Sequence, residues 1–194
     1  MGSRATSAAM DGQPRRRFTA DEVLRMVDAG ILHEDEPLEL LGGELVVVSP
    51  QGPRHRYLVT LLRERLVRAY AGSAWVQEDK PLAVSPHDLP EPDVAVIEGE
   101  PRDYRAHHPT GSDARLVVEV IVTSHERDRR KLPLYARGGV PEVWLLDAEA
   151  ERAEVHSGPR PDGRFAQTRT LGPGDGIRPP GTDVEWRVRE LFSS

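Results

Sequence analysis

Residues 116–147, LVVEVIVTSHERDRRKLPLYARGGVPEVWLLD, constrain the fold more than any other stretch of this chain. LVVEVIV and PEVWLLD are strand-sized apolar runs, and HERDRRKLPLYARGG between them has the composition of a helix that stops at Gly138-Gly139. A strand, a helix and a second strand joined this closely form a right-handed crossover, so the two strands are expected to be parallel neighbours in one sheet. The first strand raises a difficulty. Val117, Val118, Val120 and Ile121 surround Glu119 on both sides, which implies that both faces of the strand are covered. A carboxylate at its centre then has no obvious route to water, and such a group is costly unless something compensates it.

The rest of the chain builds outward from this unit. TADEVLRMVDAG reads as a helix capped by Thr19, with Glu22 at the capping-box position and Gly30 as its stop. PLELLGGELVVVSP reads as a hairpin turning at Gly42-Gly43. PRHRYLVTLLRERLVRAYAG places Leu58, Leu61, Leu62, Leu66 and Tyr70 at helical spacing. Residues 73–84 and 93–97 are further strand candidates, 98–113 is expected to be a mobile loop, and 152–188 a β-meander broken by PDG and GPGDG turns. Thr123 and Glu126 have the spacing of a capping box, and Pro133 is expected to bend the helix it interrupts. The expectation is one α/β domain over residues 18–194, a mixed sheet flanked by helices with a C-terminal β-meander, preceded by a disordered leader over 1–17.

Composition narrows the function classes. The chain has no cysteine, which removes disulfides and thiolate metal sites and suits a reducing cytoplasm. No apolar run is long enough for a membrane span, and the N-terminal stretch lacks the apolar core of a secretory signal. A net charge of −6 argues against a general nucleic-acid coat protein, while leaving room for an enzyme with local basic patches. Two exist, Arg54 to Arg68 and Arg127 to Arg137; taken alone they are most simply solvated helix faces. Of 26 basic residues only Lys80 and Lys131 are lysines, which suggests that an ammonium is needed where it is retained.

If strands 93–97 and 116–122 pair antiparallel, the start of one lies beside the end of the other, and Asp93 meets Glu119. Two carboxylates converging among apolar residues repel each other unless a cation holds them, and hard oxygen donors suit Mg2+ or Mn2+. The crossover brings Lys131 over the same end of the sheet, on one helix stripe with Asp128 and Tyr135. An acidic pair, a metal and a lysine constitute a hydrolytic site for phosphodiesters.

EPDVAVI, the whole of 116–147, and PLELLGGELVVVSPQGPRHRYL together resemble the Uma-type restriction endonuclease family of bacteria, in the PD-(D/E)XK nuclease superfamily. The similarity runs from about Thr19 to Phe192. It implies a restriction-endonuclease-like fold, Mg2+ (or Mn2+) as cofactor and DNA as substrate. By resemblance, Asp93 and Glu119 are the metal ligands, Ile121 offers its backbone carbonyl, Lys131 is a catalytic lysine carried on the helix, and Glu39 is an additional acidic residue at the site. His55 corresponds to a recurrent histidine at the start of the long helix. The chain departs from the family at Val122, where a polar residue is usual, and in a shorter stretch between Glu119 and Lys131, which keeps Lys80 in play as the catalytic lysine.

Each residue also has a plainer reading. Pro-Asp before an apolar run is mostly turn chemistry, Glu39 is a hairpin residue with Glu44 as the alternative inward carboxylate, and His55 is a helix-start histidine. His107-His108 read as solvated loop residues, and Trp144 and Tyr135 as core. At the level of function, the alternative to a nuclease is a catalytically degenerate member of the fold that binds DNA or a protein. A homodimer is expected because two nicks on opposite strands need two sites, with the β tail as the contact surface.

Overall fold

The computed structural model describes residues 15–33, 35–122 and 125–193, the side chains of 125–128 excepted. The crossover organises it. Strand β5 (Ala114–Ile121) runs parallel to β6 (Glu142–Asp147), with Glu119 opposite Leu145, and helix α3 (His125–Arg137) joins them. On one side of this pair lie β4 (Val94–Ile97) and β3 (Trp75–Glu78); on the other lie β7 (Arg152–Pro159) and β8 (Phe165–Leu171), and every pairing except β5–β6 is antiparallel. The result is a six-stranded mixed sheet in the order β3-β4-β5-β6-β7-β8.

Strand alternation sends residues of β4 and β5 to opposite faces. Val94, Val96, Leu116, Val118 and Val120 meet α2 (Pro53–Ala69) through Leu58, Leu62 and Leu66. Ala95, Ile97, Val117 and Ile121 face the other way and meet Leu134 and Tyr135 of α3. Both faces are therefore covered, and Glu119, in phase with Val117 and Ile121, points toward α3. Trp144 is fully buried on the α2 face and donates its indole N–H to Glu142 at 2.7 Å.

A third small cluster, Val23, Leu40 and Leu89, forms where α1 (Ala20–Asp28) and the hairpin β1 (Leu38–Leu41)–β2 (Glu44–Val47) close over one end of the sheet. The capping box of Thr19 and Glu22 is formed, and Gly30 at φ 69° ends the helix. Gly42 and Gly43, at φ 62° and 79°, supply the two left-handed residues that a tight hairpin turn demands. Arg15, Arg16 and Arg17 lie beside the hairpin and α1, with Arg17 Nε donating to the Gly42 carbonyl at 2.7 Å. The remainder of the 1–17 leader, and the Thr123–Glu126 capping box, lie outside the described residues.

Two expectations change in detail. The strand over 73–84 ends at Glu78, because Asp79 adopts φ 48° and Pro81 follows, so the chain leaves the ladder there. Residues 98–113 carry two 3-10 turns, Pro101–Tyr104 and Gly111–Asp113, each closed by a capping box. The tail adds β9 (Gly176–Ile177) and β10 (Trp186–Arg187), a separate two-stranded pair. Among the described residues no helix is long and apolar enough to cross a membrane.

Candidate active site

Register brings the acidic pair together. Val94 lies opposite Val118 in the antiparallel β4–β5 ladder, so one step further Asp93 stands opposite Glu119. The Asp93 carboxylate closes this end of the sheet, where Oδ2 accepts from the Val120 amide at 2.7 Å and contacts His55 Nε2 at 3.1 Å. Gln51 Nε2 lies 3.3 Å from both Asp93 Oδ1 and Asp79 Oδ1. Asp93 is thus oriented by a backbone amide, a histidine at the start of α2 and a glutamine just before it. Burial would lower the His55 pKa, but the Asp93 carboxylate outweighs it and the net shift is upward.

Glu119 is 1% exposed, and the compensation for its burial comes from α3. Tyr135 donates its hydroxyl to Glu119 Oε1 at 2.5 Å, and Lys131 Nζ lies 3.2 Å from the same oxygen. One helical turn separates these two donors, which places both on the stripe facing the sheet. Burial, then Glu119, raise the Tyr135 pKa well above its usual value, so the phenol remains a proton donor. Lys131 is 4% exposed and also reaches Glu39 Oε1 at 2.9 Å and the Glu91 carbonyl at 3.3 Å. Burial alone would strip this ammonium of its proton. Glu119 and Glu39 more than reverse that, and its pKa is raised. The group is a fixed positive charge rather than a proton acceptor.

Four of the residues singled out from sequence, Asp93, Glu119, Lys131 and Glu39, therefore converge, and His55 joins them through Asp93. Of the two hairpin candidates, Glu39 points inward at 4% exposed, while Glu44 is exposed and pairs with Arg15. Lys80 is exposed and makes no contact with Asp93 or Glu119 among the described residues; Lys131 is the lysine at the carboxylates. The Ile121 carbonyl accepts the Ala148 amide at 2.9 Å, so one of its lone pairs belongs to the strand ladder, and its side chain is core. Three further residues bear on the site. Tyr135 shares the Lys131 stripe, and its i+4 spacing was a usable signal. Glu91, two residues before Asp93, is half-buried, and burial followed by Glu39 and Asp79 pushes its carboxyl up to about 7. Gln51 lies in a loop and carries no sequence signal.

As a cation site, the donor set is all oxygen: the carboxylates of Asp93 and Glu119, with Glu39 tied to them through Lys131 and its Oε2 buried with no hydrogen-bond partner. Hard donors with an orphaned carboxylate oxygen fit Mg2+ or Mn2+. Among the described residues no group of three or more His, Asp or Glu side chains is gathered as for a fully protein-ligated ion. A cation that keeps several waters, as Mg2+ usually does, is the one that two carboxylates suit.

The profile of the Uma2 family, described as "Putative restriction endonuclease", matches residues 20–189. The chain belongs to the Uma2 family. None of the curated proteins matches it. A solved structure, described as "a putative nuclease belonging to DUF820" from Anabaena variabilis ATCC 29413, superposes with a TM-score of 0.69 at 17% identity, covering 90% of this chain and 97% of that one. At that identity the likeness shows the fold, a mixed sheet flanked by helices, as the sequence leads one to expect. In this Uma2 chain the matched span contains every converging carboxylate and Lys131.

Proposed function

We infer that this Uma2 chain is a metal-dependent DNA endonuclease that hydrolyses phosphodiester bonds, working in the cytoplasm through the unit formed by residues 18–194. The observation that carries this reading is Lys131: a buried, permanently charged ammonium held by Glu119 and Glu39 beside the Asp93 end of the sheet. A structural ion pair would need neither the adjoining Asp93 nor an orphaned oxygen on Glu39.

Asp93 and Glu119 would hold Mg2+ or Mn2+, with Glu39 in reserve through its free oxygen. Bound there, the ion supplies polarisation of the phosphate and a lowered pKa for an attacking water. The protein does the rest. Val120, His55 and Gln51 fix the Asp93 carboxylate, and Tyr135 fixes that of Glu119. Lys131, held by Glu39 and Glu119, would offset through space the charge that develops on the phosphate oxygens. Arg56, exposed one residue past His55, would meet the DNA backbone.

Titration calorimetry with Mn2+ tests the reading. Wild type is expected to bind the ion and Asp93→Asn to bind it at least tenfold more weakly. Equal binding by both, or none by wild type, favours the degenerate DNA- or protein-binding module instead. We further propose a homodimer, since two nicks need two sites and β8 leaves an exposed strand edge over Ala166–Thr170. Sedimentation showing only monomer at micromolar concentration contradicts it.

A further inference from the structure

Between α1, the β1–β2 hairpin and the segment from Asp79 to Glu91 lies a cavity of about 440 Å3. That is within the range of about 300–1,000 Å3 typical of small-molecule sites. Its character is divided. Leu24 and Leu45 give it an apolar wall, Asp28, Glu36, Asp79 and Glu91 contribute carboxyl groups, and Lys80 is the one described lysine or arginine on its lining. Among the described residues the side chains of Glu91 and Lys80 have no hydrogen-bond or ion-pair partner. Two lining residues also touch the candidate active site: the Glu91 backbone carbonyl accepts from Lys131, and Gln51 bridges Asp79 to Asp93.

We propose that this cavity takes one unstacked nucleobase of the DNA strand whose phosphate lies at Asp93 and Glu119. The inference rests on the nuclease reading and adds how the substrate is held. The charges decide which part of a nucleotide enters. A phosphate is repelled by the Asp28 and Glu36 carboxylates, whereas a base presents a flat apolar ring to the leucines and N–H donors on its Watson–Crick edge to the carboxyl oxygens. The strand's backbone then stays at the mouth, where Lys80 is free to pair with it. Reaching the pocket requires the base to leave its stack, so unpaired or distorted DNA is the preferred substrate.

The test is binding, read by fluorescence anisotropy with Ca2+ in place of the activating ion. The probes are a labelled oligo(dC) strand and a fully abasic backbone of equal length. Wild type is expected to bind oligo(dC) about tenfold more tightly, the scale of losing one stacked base. Leu24→Trp on α1 and Leu45→Trp on β2 each fill the cavity from a different element. Whichever of them retains the wild-type circular dichroism spectrum should bind both probes equally, near the abasic level. A wild type with no preference, or a folded cavity variant that keeps the full preference, overturns the base pocket. If plasmid nicking persists in that case, the nuclease reading survives without it. If wild type binds neither probe, both readings fall.

Discussion

Lys131 is held by two carboxylates in a space only 4% open to solvent, and that geometry separates its charge from its shape. An ammonium is a compact point charge; a guanidinium is a planar fork with a longer reach. Lys131→Arg is expected to keep the fold and lose most nuclease activity. Equal cleavage by the two would remove Lys131 from the catalytic machinery and turn attention to Lys80. Tyr135 is a second residue with a measurable role, since its hydroxyl is the donor that allows Glu119 to be buried. Tyr135→Phe should cost about 1–3 kcal/mol of stability in urea unfolding, the penalty of removing a partner from a buried polar group. An unchanged midpoint would mean that the Tyr135 hydroxyl does not carry that compensation. At this scale the sequence was informative where pairing rules apply: Asp93 and Glu119 follow from antiparallel register, and Lys131 with Tyr135 from helical spacing. Gln51 and Glu91 were not legible, because they reach the site from loops whose path no periodicity encodes.

Elements that obey local rules were equally readable, and the ones set by tertiary contacts were not. The capping box at Thr19 and the Gly42-Gly43 turn each depend on two or three neighbouring residues, and both formed. The 73–84 stretch has strand-like residues throughout, yet it leaves the sheet at Asp79 and turns back along the site. Its later course is fixed by distant partners: the Leu82 amide donates to the Pro90 carbonyl at 2.9 Å and that of Ala83 to Pro109 at 2.8 Å. Helix α1 forms one wall of the cavity, so its capping is a handle on that wall. Thr19→Ala should cost about 0.5–2 kcal/mol, the usual value of an N-cap side chain. Hydrogen exchange should then rise in residues 20–28 ahead of the central sheet; uniform change across the chain would contradict a local role.

At the scale of the whole molecule, β7 and β8 extend the sheet beyond the strands that carry the acidic pair and bring in a titrating group. His156 is buried, Nδ1 contacts Thr168 Oγ1 at 3.0 Å, and burial holds its pKa below the usual value despite Glu154. A histidine that is harder to protonate when folded favours unfolding as pH falls. Its stabilising share is complete above the unfolded value near 6.5 and is lost as pH drops from there through the lower folded value. His156→Gln should therefore flatten the decline in stability between pH 7 and 5, by at most about 1.4 kcal/mol per pH unit; an unaltered slope would exclude this residue as its source. The central claim, however, concerns the buried acid pair and its lysine. Nicking of supercoiled plasmid in Mn2+ by wild type and by a folded Glu119→Gln protein tests it most directly. The account requires nicking by wild type and its loss, by at least a hundredfold, in the variant. Equal nicking by both, or nicking that persists in EDTA, contradicts it.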